Sequence, residues 1–362
     1  MKKVAISTAK LIAGIIIAIL AASAIFFRVS TMLTAGPQGV EAPQGETGTT
    51  EPKGAIGLTD PIEETGTTGE TGPRELKGKQ MPHLPAYGDF WNGIIDTIGK
   101  HGFSIAWITD TQLNSQDDTW GNLADYLVSV KDAYNIQAVV HTGDIVQNGS
   151  AVKEWEVANA SMGKLLDNGV PYCWCTGNHD YWGEDLSATY KAFNVSSQIG
   201  EPYWLSSYGN RSTAIQFSYG GYDFIVVCVE FHGAAGAIAW LTDILNNNPD
   251  KNILVATHSY LNATGGYGDQ WGEEWGNNLF ATLDAYPNVF ATINGHWTTS
   301  YRQTVGSRTE MLADYMNTNF MVVTYLFFDV FNEKVYVKTY QQTDSVWYTA
   351  NAQNFSFDID LV

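Results

Sequence analysis

The sequence predicts an α/β protein, a four-layer sandwich in which two central mixed β-sheets are flanked by helices. Three observations carry this. Apolar runs of strand length alternate with stretches of helical spacing between residues 103 and 175. The second half adds strand-rich segments, so a second sheet is expected. Several apolar runs also end in polar, chemistry-bearing residues, as at Gly177-Asn178-His179-Asp180. In open α/β sheets that edge is where ligands sit.

The chain begins with a targeting pattern. Lys2, Lys3 and Lys10 flank an apolar run over residues 11–27, closed by Arg28. Ala22-Ser23-Ala24 has the small-x-small form of a signal-peptidase site, yet Ile25, Phe26 and Phe27 prolong the run beyond it. At ~1.5 Å per residue the run is just long enough to cross a bilayer, with the lysines on the cytoplasmic side. Residues 1–35 are read as a signal peptide or membrane anchor, the anchor being favoured. The remainder is expected to be extracytoplasmic, either anchored or secreted.

Residues 36–80 are low-complexity. Ten glycines from Gly36 to Gly78 share one three-residue frame, and Pro37, Pro43, Pro52, Pro61 and Pro73 each occupy the position after the glycine slot. This is a Gly-X-Y pattern, but Ala42, Glu51, Asp60, Glu63 and Glu75 fill slots that a triple helix reserves for glycine. A flexible or polyproline-like stalk is favoured over a working triple helix. Residues 81–362 are expected to form a single domain, rich enough in Trp (12), Tyr (19) and Phe (16) to build a large core. The net charge of −19 argues against nucleic acid as the main partner, because binding it requires Lys/Arg to neutralise phosphates.

Within that domain, residues 103–109, 138–142 and 170–175 read as buried strands. Residues 120–134 and 152–166 read as the amphipathic helices between them. Residues 212–217, 222–229, 253–257, 320–330 and 334–340 are further strands. Phe331-Asn332-Glu333 is a hairpin turn between the last two. Cys173, Cys175 and Cys228 lie in apolar strands and read as buried small hydrophobes. His141, inside an apolar strand, reads as a satisfied core histidine.

Five strand ends gather polar residues: Asp110-Thr111-Gln112, Gly143-Asp144, Gly177-Asn178-His179-Asp180, His258 and Gly295-His296-Trp297-Thr298. Oxygen and imidazole donors from five separate strand ends point to a divalent metal centre. Taken alone, Asp110 reads equally well as a cap and His258 as a core histidine; their joint occurrence favours the metal.

In this order the motifs resemble the calcineurin-like metallophosphoesterase superfamily, in an exported branch whose first motif is Asp-Thr-Gln. Met311-Leu312-Ala313-Asp314-Tyr315 and the strands after it share that likeness. The resemblance implies a phosphate-ester substrate and two divalent ions, of Mn, Fe, Zn or Mg. It implies Asp144 as the bridging ligand, Asn178, His258 and His296 on the second ion, and Asp110 and Gln112 on the first. His179 would be the catalytic general acid rather than a ligand. The chain departs from the pattern at three places. Thr298 replaces a histidine ligand of the first ion. Gln112 replaces a commoner histidine. Gln147 stands where relatives often carry an acid that orients the catalytic histidine. The first site is therefore expected to hold its ion weakly.

Asp180, Trp182, Glu230 and His232 are candidate substrate contacts, Glu230 and His232 from a loop that is equally well a surface loop. Tyr267, Trp271 and Trp275, in the glycine-rich stretch after His258, suit stacking on a sugar or base. They equally suit packing between sheet and helices. Two functions remain: an exported metal-dependent phosphoesterase, or a non-catalytic surface module that keeps the metal fold and binds glycans or phosphorylated ligands.

Overall fold

Strands β1 (Gly102–Ile108), β2 (Ile136–His141) and β3 (Tyr172–Trp174) alternate with helices α1 (Trp120–Val130) and α2 (Val152–Asp167). The pairs β1–β2 and β2–β3 are parallel, so the three C-terminal ends share one edge. This computed structural model describes residues 102–116, 119–181, 193–233, 235–268, 273–315 and 321–362. All of them belong to the unit Leu76–Val362, distinct from a unit Met1–Glu75. The expected anchor and stalk, Trp182 and Trp271 lie outside the described residues. Among the described residues no helix is long and apolar enough to cross a membrane.

Helix α1 stops at Val130, short of the residue 134 that its spacing predicts. Asn135 turns with φ of 46°, a left-handed conformation that Asn tolerates better than most residues. Tyr134 still donates its N–H to Val130 at 2.9 Å and is 1% exposed, so the apolar spacing continues past the helix itself.

The second sheet contains β4 (Trp204–Tyr208), β5 (Ser212–Tyr219), β6 (Tyr222–Val229), β7 (Asn252–Thr257), β8 (Val289–Asn294), β9 (Ser300–Val305) and β10 (Arg308–Ala313). Their order is β4-β5-β6-β7-β8-β10-β9. The run β6-β7-β8-β10 is parallel and its flanks are antiparallel. Helices α3 (Ala235–Asn247) and α4 (Glu273–Leu283) cover its outer face. The last strands do not extend this sheet. β11 (Val322–Asp329), β12 (Lys334–Gln341), β13 (Val346–Trp347) and β14 (Asn354–Asp358) return to the first, where β11 pairs antiparallel with β1.

Three apolar layers follow from strand alternation. Phe103, Ile105 and Trp107 of β1 face the second sheet, meeting Phe224, Val226, Leu254 and Ile293, with Phe328 of the adjacent β11 on the same face. Ala106 and Ile108 face α1 and α2, with Leu123, Leu127, Trp155 and Met162. A third layer joins Val227 and Val255 to Leu241 and Leu279. The architecture is thus helix, sheet, sheet, helix, with two mixed sheets, as the sequence predicts. The three cysteines are free and buried within it.

One polar group is sunk into the outer layer. Glu310 is fully buried and accepts from Tyr260 (2.7 Å), Tyr267 (2.9 Å), Gln303 (2.9 Å) and Arg308 (3.1 Å). Glu310→Ala leaves Arg308 buried without this carboxylate. It is expected to lower unfolding free energy by about 3–5 kcal/mol, read from the denaturant midpoint. A loss below about 1 kcal/mol would show that the network adds nothing beyond packing.

Candidate metal centre

Both sheets deliver their parallel strand ends to one place. Asp110 lies two residues beyond β1, Asp144 three beyond β2 and Asn178 four beyond β3. From the second sheet, His258 directly follows β7 and His296 lies two residues beyond β8. Asp110, Asp144 and His296 have φ of 52°, 53° and 75°, a left-handed region that side chains seldom adopt. Such backbone strain persists where the surrounding structure enforces it, and it clusters at functional sites. The motif glycines allow the close approach. A Cβ on Gly177 would strike the Asp144 carboxylate, and one on Gly295 would strike that of Asp110.

The side chains converge. Ligand atoms of Asp110, Asp144 and His258 all lie within 4.8 Å of one another. Nε2 of His258 is 3.0 Å from Oδ1 of Asn178, 3.3 Å from Oδ1 of Asp144 and 3.2 Å from Nδ1 of His296. Oδ2 of Asp144 turns the other way, 3.3 Å from Nε2 of Gln112. Asp144 therefore faces His258 with one oxygen and Gln112 with the other. Gln112 is 1% exposed.

Neighbouring groups fix these ligands. Nδ1 of His258 donates to the Thr142 carbonyl at 2.9 Å, which turns the Nε2 lone pair toward the centre. Trp107 donates to Thr142 Oγ1 (3.0 Å), Thr142 to Thr109 Oγ1 (2.6 Å), and Thr109 to Oδ2 of Asp110 (2.5 Å). His141 serves the turn between β2 and Asp144. Nδ1 accepts from the Gly143 N–H at 3.1 Å, so Nε2 carries the proton toward Thr111 Oγ1 at 2.8 Å. Burial holds its pKa down at about 3, so it stays neutral.

The centre attracts positive charge. Burial raises Asp110 well above the usual carboxylate range, and Asp314 and Asp144 push it further. Burial alone would lower His258, yet the charge of Asp144, its hydrogen bond and Asp110 outweigh this and push it to about 10. Burial opposes ionisation of Asp144 too, but His258 and His179 hold it below the ordinary value. Carboxylates packed this closely require protons or a cation between them.

His179 begins a short 3-10 turn after Asn178. Its backbone N–H donates to Oδ1 of Asp144 at 2.9 Å, and Nδ1 faces the Gln147 carbonyl at 3.2 Å. The main chain of residue 147 thus orients the ring. Nε2 lies 3.9 Å from Oδ2 of Asp144, at the centre's margin.

The candidate substrate contacts are placed differently. Asp180 is 1% exposed and faces the backbone. Oδ1 accepts from Ile145 and Val146 N–H (3.0 Å each) and Oδ2 from Gly177 (2.7 Å), tying the β2 and β3 loops together. Glu230 is equally buried, accepts from Tyr181 at 2.6 Å and is ion-paired with Arg211 Nε at 2.9 Å. Both carboxylates position loops rather than face a substrate. His232 stacks on Phe231 with centroids 4.1 Å apart, and Phe231 in turn lies 5.6 Å from His258 and 5.7 Å from His296. Of the aromatic stretch, Tyr267 belongs to the Glu310 network. Trp275 is 8% exposed and donates to Ser259 O at 3.0 Å, so it packs between sheet and helices.

Two further residues, Arg211 and Asp314, pair with groups named above. Arg211 sits beside Tyr181 through Glu230, and nothing in its local sequence marks it. Asp314, 1% exposed, accepts from Thr298 at 3.2 Å. Its signal was present: Met311, Leu312 and Ala313 form an apolar run closing on an acid, as at the other strand ends.

Comparison with known proteins finds similar chains. A family model described as calcineurin-like phosphoesterase matches residues 103–298. The uncharacterized protein YvnB of Bacillus subtilis is 28% identical over 290 residues, covering 72% of this chain; the chain spans only 22% of that relative's length. Among solved structures, GAP50, titled the anchor in the inner membrane complex of Plasmodium, superposes with a TM-score of 0.50 at 12% identity, covering 73% of this chain and 90% of that one. Purple acid phosphatase PPD1 from yellow lupin gives 0.50 at 12% identity, covering 72% and 55%. At these identities the two structures speak for the fold alone.

Proposed function

Because this chain belongs to the calcineurin-like phosphoesterase family, we propose that it is an exported, metal-dependent hydrolase of phosphate monoesters or diesters, acting through a dinuclear centre. The observation that carries this reading is the convergence of His258 Nε2, Asn178 Oδ1, Asp144 Oδ1 and His296 Nδ1. With Nδ1 of His258 donating to Thr142, a cation that displaces the Nε2 proton would meet lone pairs of these atoms. Asp144, facing both ways, would bridge. Asn178, His258 and His296 would hold the second ion; Asp110 and Gln112 would serve the first. Divalent ions there supply Lewis acidity toward a phosphoryl group and activate a water.

The protein's own part is positioning and proton transfer. His179, held by the Gln147 carbonyl, donates its Nε2 proton to the departing alkoxide oxygen. The αL turns at Asp110, Asp144 and His296 keep the ligands preorganised. Residues 1–35 are proposed as the leader or anchor and residues 36–80 as a stalk that holds domain 81–362 away from the membrane.

The test is metal analysis of the purified protein, paired with hydrolysis of bis- and mono-4-nitrophenyl phosphate. Turnover of at least one substrate is expected, abolished by chelation and restored by Mn²⁺. Retained metal with no turnover of either would return the chain to the non-catalytic binding module.

A further inference from the structure

We propose that Asp314 is a ligand of the first metal site and fills the coordination place that Thr298 leaves. This rests on the dinuclear reading above and changes its first half. With Asp110, Gln112 and Asp144, Asp314 makes a shell of oxygen donors alone.

The placement follows from the second sheet. β10 runs parallel to β8, with Leu312 opposite Asn294. Two residues beyond each of these partners stand Asp314 and His296, so both leave the sheet at the same edge. The Asp314 N–H is bonded to the Thr299 carbonyl at 2.9 Å, which anchors the residue to the segment that follows His296. Thr298 Oγ1 donates to Asp314 Oδ2 at 3.2 Å. The threonine therefore supports a carboxylate at the point where the family pattern has an imidazole. A carboxylate offers about four acceptor directions, so this bond does not exhaust it.

Burial points the same way. Asp314 is 1% exposed, and a buried acid in that position is costly unless positive charge shares the site.

The two halves then differ in chemistry. Carboxylate and amide oxygens suit hard ions such as Mg²⁺ and Mn²⁺, whereas the imidazoles of His258 and His296 favour Zn²⁺ or Fe²⁺ at the second site. The first site is not the weak remnant that Thr298 suggests, but one of altered selectivity.

The experiment is equilibrium dialysis of the full chain against Mn²⁺, read by elemental analysis, with circular dichroism to confirm folding. Wild type is expected to bind two Mn²⁺. Asp314→Asn should keep one and weaken the other by about tenfold or more. Thr298→His in the Asp314→Asn background should restore the lost site and shift its preference toward Zn²⁺. A folded Asp314→Asn that binds two Mn²⁺ within twofold of wild type overturns the proposal. Should that variant not fold, Thr298→His alone decides. A change under threefold in first-site Mn²⁺ affinity supports an already filled position, and a gain of tenfold or more overturns it. Wild type that binds fewer than two ions, with Zn²⁺ supplied alongside Mn²⁺, overturns the dinuclear reading and this proposal with it. Two bound Mn²⁺ without hydrolysis sink the enzymatic reading while leaving Asp314 as a ligand.

Discussion

Asp144→Ala is expected to strip the centre of divalent metal and reduce turnover to the background rate. The reason is geometric. Oδ1 of Asp144 lies 3.3 Å from His258 Nε2, and Oδ2 lies 3.3 Å from Gln112 Nε2, so its two oxygens face different ligand candidates, as the proposed bridging role requires. Metal content by elemental analysis and turnover of nitrophenyl phosphates should fall together. The variant should be less stable, because Asp144 is held ionised by His258 and His179 and its removal leaves these buried partners without their carboxylate. Melting of the chelated variant should therefore occur below the temperature of chelated wild type. A folded Asp144→Ala that retains both metals would remove Asp144 from the bridging role.

His179→Ala is expected to lower turnover about a hundredfold or more, the usual scale for a positioned acid, with metal content unchanged. The deficit should shrink for substrates with good leaving groups, which need protonation less. The control is Gln147→Ala. The ring is held by the main-chain carbonyl of residue 147, at 3.2 Å, so truncating that side chain should cost under about threefold. Loss of metal from His179→Ala would make this histidine a ligand instead. A large loss from Gln147→Ala would show that the side chain, not the backbone, orients the ring.

The same distinction between what a side chain is and where the chain puts it separates the legible parts of this protein from the rest. Local patterns carried far. The apolar runs ending at Ile108, His141 and Thr257 became strands within one or two residues of the expected ends, because alternation and run length are properties of neighbours in sequence. The centre was legible for a related reason. Its residues follow parallel strands, and a short segment after a buried strand has few places to go but the shared edge.

What the sequence alone determined is therefore the α/β class, the strand and helix periods and the donor set presented at the strand ends. What only the tertiary structure decided is pairing and orientation. The β11–β12 hairpin returns across more than two hundred residues to pair Phe328 with Phe103, a contact that no local pattern encodes. Asp180 and Glu230 are chemically equal to any ligand carboxylate, yet backbone N–H groups claim the first and Arg211 and Tyr181 the second. Asp314 reaches the centre because β10 lies parallel beside β8. An acidic side chain acts on whatever lies within a few ångströms of it, and it is the packing of two sheets against each other that sets those neighbours.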